Sequence, residues 1–271
     1  MIEELFAIEK QTYRDSYLHR LDARVKLAIT IAAVLAVVAY PLDRSLYTLG
    51  MVFLLAFAVL WVVSRLSPAV YAKRLAVILP VGLAIVLFQC FVQNRYYPAF
   101  HAILDLPFGI HVYAESVEFA SFLFVKFFVS VSFVILLSST TKAQDMLEGA
   151  GRLGLPKEFV LAMGMMIRYL FVFGYMFRKI NQSLETRCFD PFDHRLPYRY
   201  RLHQLGYTIG TLFIRSYEQG ERTYTSMLCR GYGRESYCYL DSKPLRLAEW
   251  AFLWISLVFM AGSALAVYAL R

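Results

Sequence analysis

The chain has 271 residues, 59% of them hydrophobic, and a mean hydropathy of +0.50. Soluble domains hold about 45–50% apolar residues, and apolar runs of about 20 residues mark helices that cross a bilayer, so the composition argues against a soluble globular protein. The net charge of +8 does not call for nucleic acid, because Lys and Arg collect on the cytoplasmic side of a membrane protein and set its orientation.

The N-terminal stretch is polar and amphipathic. Glu3 and Glu4 stand where a cleavable signal peptide would carry its basic cap. Lys10, Arg14, His19, Arg20, Arg24 and Lys26 place positive charge at the first apolar run, and Asp22 is positioned to cap the helix that follows. Membrane spans are predicted over Val25–Tyr40, closed by Pro41, then over Leu46–Val63 and over Leu75–Val92. Pro80 lies inside the third and predicts a kink, since proline removes one backbone hydrogen bond. A loop over Gln93–Ser116 follows, with the turn-like Leu106-Pro107-Phe108-Gly109. The fourth predicted span, Val117–Leu137, contains Lys126. Basic residues are dense before the first span and between the second and third (Arg65, Lys73, Arg74), and sparse in the other two connections. The N-terminus is therefore expected in the cytoplasm, with the chain returning there at Ser138.

The apolar run Phe159–Phe177 is different. Were it to cross, Arg178, Lys179, Arg187, Arg195, Arg199 and Arg201 would lie outside, and Arg168 would sit inside the bilayer at a high cost. It is expected to lie at the membrane without crossing, as a helix that Pro156 starts and Asp190-Pro191 stops. A second long helix is expected over Tyr200–Arg230. Gly206-x-x-x-Gly210 on this helix, with Gly164 and Gly174 on the first, predicts a close helix crossing. The last span is predicted over Leu247–Leu270. The expectation is an all-α integral membrane protein with about five spans: residues 1–139 as lead-in and four spans, 140–246 as a cytoplasmic region of long crossed helices, and 247–271 as a final span.

Little here is catalytic. There is no P-loop, so the chain is not expected to hydrolyse ATP. The five histidines (His19, His101, His111, His194, His203) do not fall at metal-ligand spacings, although His101 and His111 share a loop with Asp105 and Glu115. Cys90, Cys188, Cys229 and Cys238 form no CxxC pair. Lys126 and Arg168 are ionisable groups in apolar surroundings, where a functional role and a structural pairing are both open. Two arginines close the two long helices, in Thr186-Arg187-Cys188 and Cys229-Arg230-Gly231. Glycine is the usual helix-ending residue and a cation suits the last turn, so capping accounts for Arg230-Gly231. It accounts for Arg187 only in part, since cysteine is a poor stand-in for glycine. Partner binding is the other reading for both arginines.

These two motifs, with Leu18-His19-Arg20-Leu21-Asp22-Ala23-Arg24-Val25-Lys26-Leu27, Leu153-Gly154-Leu155-Pro156 and Arg168-Tyr169-Leu170-Phe171, resemble the transmembrane T component of energy-coupling-factor transporters, in its cobalt/nickel (CbiQ-like) branch. Cys229-Arg230-Gly231 is close to the family's second Ala-Arg-Gly-type signature; Thr186-Arg187-Cys188 keeps only the arginine of the first. The resemblance implies a non-catalytic subunit that joins two ABC-type ATPase subunits to a small substrate-binding membrane subunit, for cobalt or nickel. It implies that Arg187 and Arg230 enter grooves on the ATPases, and that ATP is bound by those partners, with no cofactor on this chain. A vitamin-binding partner is the alternative within the family. A secondary transporter would need paired mid-membrane charges and inverted halves, and a membrane enzyme would need a clustered acid, base or metal site; the sequence displays neither.

Overall fold

The computed structural model describes residues 17–90, 102–106, 110–190, 196–233 and 244–269. They form α1 (Tyr17–Arg20), α2 (Ala23–Ala39), α3 (Ser45–Ser64), α4 (Pro68–Gln89), the strands β1 (Ala102–Leu106) and β2 (Ile110–Tyr113), α5 (Ala114–Thr140), α6 (Ala143–Arg152), α7 (Lys157–Glu185), α8 (Tyr198–Cys229) and α9 (Leu247–Ala269). Among the described residues the protein is helical apart from one antiparallel hairpin, in which Leu106 pairs with Ile110 and Asp105 with His111. That hairpin occupies the stretch expected to be a loop.

Local chemistry accounts for the boundaries. The Asp22 carboxylate accepts the Arg24 N–H at 3.0 Å and so caps α2. Pro68 occupies the first turn of α4, where its missing N–H costs nothing. It lets that helix begin seven residues before the expected Leu75. Pro80 stays inside the helix without ending it. Pro156 and Pro197 stand at the N-caps of α7 and α8.

The chain divides into two compact units, one built from residues up to Leu153 and from Lys243 onward, the other from Gly154–Ser242. Helix α6 belongs with the first unit. Its Gly149 lies against the first turn of α2: a Cβ there would stand 3.1 Å from Ala23 Cβ and 3.1 Å from the Arg24 nitrogen.

In the first unit, Val25, Ile29, Ala33 and Val37 of α2 recur every four residues and are buried with Leu46, Leu49, Phe53 and Phe57 of α3 and Phe122, Val129 and Phe133 of α5. This is the helical period turned inward. Inside a bilayer, close van der Waals fit rather than water exclusion holds such helices together, and small residues permit it. Gly50 meets Val125, where a Cβ would fall 2.6 Å from the Val125 methyl, and a Cβ on Gly82 would collide with the Phe127 ring.

Helices α2 and α5 also cap one another. Lys126 of α5 donates to the carbonyls of Val38 at 2.9 Å and Tyr40 at 2.6 Å, which close α2. Lys26, in the first turn of α2, donates to the Thr140 carbonyl at 3.2 Å, which closes α5. Arg74 adds hydrogen bonds to the hydroxyls of Ser138 and Ser139 at 3.2 and 2.9 Å. A cation at a helix C-terminus satisfies orphan carbonyls and suits the dipole. The intramembrane charge on Lys126 is thereby explained as structural.

By length and composition five described helices are able to cross a membrane: α3, α4, α5, α7 and α9. Helix α2 has 17 residues, so it spans about 26 Å against a hydrocarbon core of about 30 Å.

Candidate functional site

The second unit consists of α7, α8 and their flanking turns. Tyr169, midway along α7, hydrogen-bonds Thr223 near the end of α8 at 2.5 Å. At the connecting end Phe189 stands edge-on to Tyr200, their ring centroids 6.1 Å apart. Of the glycines expected at a close helix crossing, three have open surroundings. A Cβ at Gly164, Gly206 or Gly210 would find nothing within 4 Å. Close approaches are seen at Gly50, Gly82 and Gly149. Along α8 the sheltered positions Gln204, Thr208, Leu212, Ser216, Gln219, Thr223 and Met227 recur every three or four residues, and most of them are polar. The exposed positions include Leu202, Ile209, Phe213, Ile214, Tyr217 and Leu228. The exposed face therefore mixes these large apolar side chains with charged ones, Arg215, Glu218, Glu221 and Arg222 among them.

The two arginine motifs end their helices in the same way. After α7 the Phe189 N–H donates to the Leu184 carbonyl at 3.1 Å and the Cys188 N–H to Glu185 at 2.9 Å. After α8 the Tyr232 N–H donates to Met227 at 3.0 Å and the Gly231 N–H to Leu228 at 2.9 Å. Each is a Schellman cap, with a left-handed residue just past the helix. Cys188 takes that conformation at φ 57° and Gly231 at φ 86°. The cysteine, read from sequence as a poor stand-in for glycine, fills the glycine position. Thr186 matches Cys229, and Arg187 matches Arg230, one residue before the left-handed turn.

The ends differ in what flanks them. Leu184 and Phe189 are buried, 8% and 7% exposed, which seals the first cap with the apolar contact such motifs favour. At the second end the counterparts are only half-buried: Met227 is partly exposed and Tyr232 is 37% exposed. Arg187, Thr186, Cys188, Arg230, Cys229 and Gly231 are all exposed, and neither arginine forms an ion pair with another described residue. Sequence reasoning passed over the bracketing residues. Their signal lay in two aligned hexapeptides, Leu184-Glu185-Thr186-Arg187-Cys188-Phe189 and Met227-Leu228-Cys229-Arg230-Gly231-Tyr232, each apolar first, arginine fourth and aromatic last.

Among the described residues no group of three His, Cys, Asp or Glu side chains could hold a metal ion. His101 and His194 lie outside the described residues, as does Cys238; His111 is placed on β2 by its backbone. Arg168 is exposed on α7, within the second unit.

A family model described as CbiQ, cobalt transport protein, matches residues 14–239. The uncharacterized protein MJ1571 of Methanocaldococcus jannaschii is 25% identical over 264 residues, 96% of this chain and 86% of that protein. The uncharacterized protein MJ1089 of the same organism is 30% identical over 125 residues, 46% of this chain and 45% of that protein.

Proposed function

Because this chain belongs to the CbiQ family of cobalt transport proteins, we propose that it is the coupling subunit of an ATP-driven cobalt importer, joining two ABC-type ATPase subunits to a small substrate-binding membrane subunit. It is a multi-pass membrane component of a transport system. The single observation that carries the coupling role is the pair of matching helix ends. Two helices of one unit end in the same cap, and each presents an exposed arginine at the same position.

A matched pair of ends suits a matched pair of partner subunits. Arginine stays charged at all working pH values and offers two parallel hydrogen bonds to a carboxylate, so a rigid cap that aims it favours capture in a groove. Closure of the ATPases on ATP displaces the two ends, and α7 and α8 carry the displacement as stiff rods. The exposed large apolar side chains of α8, Ile209, Phe213 and Ile214 among them, are costly in water and suit contact with the small membrane subunit and with lipid. In this reading α2 crosses the membrane with α3, α4, α5 and α9, and α7 does not. Its length and hydropathy permit crossing, but the basic residues that follow it belong in the cytoplasm.

The test is reconstitution. The chain expressed with the two ATPases and the small membrane subunit should co-purify as one complex and take up radiolabelled cobalt only with ATP. Uptake by the chain alone, or its failure to retain the ATPases, would refute the coupling role.

A further inference from the structure

The first unit carries a groove between α3 and α9, about 550 Å³ in volume. Every side chain that lines it is apolar: Val52, Ala56, Val59 and Val63 come from α3 and Phe259 from α9. Val59 and Val62, both in its wall, are 63% and 75% exposed, so the hollow opens toward the hydrocarbon of the bilayer. From Val52 to Val63 the groove follows α3 for about 16 Å. That is about half of a hydrocarbon core of about 30 Å, the depth of one leaflet. Phe259 stands midway along α9 (Leu247–Ala269).

One end of this groove is charged. Helix α3 ends at Ser64, and Arg65 follows in a left-handed conformation at φ 53°, its N–H returned to the Val62 carbonyl at 3.1 Å and its side chain exposed. The two helices run antiparallel. Leu60, near the end of α3, shares a small cavity with Phe252, near the start of α9, while Phe259, farther along α9, reaches the groove. Arg246, the residue before α9, therefore stands at the same membrane face as Arg65, and it too is exposed. Neither guanidinium is paired with a carboxylate of the described residues. Glu249, one turn from Arg246, has its two oxygens taken by the backbone N–H groups of Asp22 and Arg246, at 3.2 and 2.9 Å. Other cations of this unit are engaged: Arg74 by Ser138 and Ser139, Lys26 and Lys126 by helix-end carbonyls.

We infer that the groove between α3 and α9 seats one acyl chain of an anionic phospholipid, whose phosphate lies at Arg65 and Arg246. An apolar hollow one leaflet deep fits a chain that enters from one membrane face. A transmembrane helix of another protein would need a seat across the whole core, and this one stops at Val52. The phosphodiester supplies the negative charge and the acceptor oxygens that two unneutralised guanidinium groups require, and arginine binds such oxygens in pairs. Anionic headgroups attract each surface cation, which a neutral lipid does not. In the topology proposed above this face is cytoplasmic. Were the topology reversed, the same site would serve the other leaflet, so the lipid site and the topology stand or fall separately.

The test is native mass spectrometry of the full chain released from detergent micelles, titrated with phosphatidylglycerol or with phosphatidylcholine of the same acyl chains. One phosphatidylglycerol per chain is expected to stay bound, in preference to phosphatidylcholine by roughly tenfold or more. Arg65→Asn combined with Arg246→Gln is expected to abolish that preference; asparagine tolerates the left-handed conformation of residue 65. Val59→Trp fills the groove from an exposed position and is expected to lower the binding of both lipids, and Ala58→Phe must act alike. Val81→Trp, on the exposed surface of α4, is the control and should bind as the wild type does. Equal retention of the two lipids by the wild-type chain overturns the site, since adventitious lipid around the spans would behave so. Selective binding that survives both the arginine and the groove substitutions overturns it too. So does a Val59→Trp chain that binds lipid normally but no longer retains the small membrane subunit, because the groove would then be a protein contact.

Discussion

Cys188 and Gly231 occupy one and the same position in two different helix ends: each is the left-handed residue that follows an exposed arginine, at φ 57° and 86°. The N–H groups around them return to the helix in identical order. A side chain in this conformation costs about 1–2 kcal/mol, which glycine avoids, and the cysteine keeps it because Phe189, the next residue, is buried beside Leu184.

Cys188→Gly is therefore expected to leave the cap intact and stabilise the chain by about 0.5–1 kcal/mol, since glycine's greater entropy in the unfolded state offsets part of the relief. Gly231→Ala should destabilise by a similar amount. Thermal unfolding of the purified chain in detergent reads both; a lower midpoint for Cys188→Gly would mean that the thiol, not the backbone, holds the turn.

Arg187→Ala and Arg230→Ala should each leave thermal stability nearly unchanged and weaken ATPase capture. Loss of one partner from a desolvated charge pair costs about 2–5 kcal/mol, or roughly 30-fold or more in affinity. Because the two caps share one geometry, the two losses should be alike within a few-fold. Lysine should restore capture only in part, since it lacks the bidentate fork. Affinity measured by biolayer interferometry with the purified ATPase pair is the check. A pure capping role predicts the opposite pattern, with unfolding at lower temperature and capture preserved.

Lys126→Met should act on the fold. It removes the donor to the Val38 and Tyr40 carbonyls, and leaving a sheltered helix-end acceptor such as the Tyr40 carbonyl unpaired costs about 1–3 kcal/mol. The melting temperature should fall, while cobalt uptake per folded molecule at low temperature stays near the wild-type value. Loss of uptake at full stability would instead give the lysine a place in the transport path.

Glycines in the two units should respond in opposite ways. Gly50→Ala brings a methyl group within 2.6 Å of Val125 and should destabilise the chain. Gly206→Ala and Gly210→Ala enter open space, and alanine favours a helix over glycine by about 1 kcal/mol, so the isolated chain should be no less stable. If the open face of α8 covers the small membrane subunit, the same two substitutions should reduce co-purification of that subunit. Unchanged co-purification would locate the subunit elsewhere.

Topology gives a further check. A cysteine introduced at Tyr198, which is 72% exposed, should react with an impermeant maleimide only in inside-out vesicles, once the four native cysteines have been replaced. Reaction from the outer side would require α7 to cross the membrane.

Period and composition were enough to find the helices. Runs free of charge can satisfy their backbone in a bilayer only as helices, so α2, α3, α5 and α9 could be read from sequence to within a few residues, and α7 and α8 with them, whereas α4 starts seven residues early at Pro68 and the short α6 was not foreseen. Aligned arginines likewise marked the two ends before any coordinates. What sequence did not disclose was relational. Gly82 and Gly206 look alike in the chain; only the arrival of the Phe127 ring at one, and of nothing at the other, tells a packing glycine from an open one. Lys126 read as a stray intramembrane charge until the end of α2, some ninety residues earlier in the chain, was found at its amine. Cys188 read as a mismatch because residue type reports what a backbone prefers, not what its neighbours compel. The buried ring of Phe189 decides that φ is positive there. The Asp22–Arg152 pair joins residues 130 positions apart, and it exists only because Gly149 lets α6 lie flat against the first turn of α2.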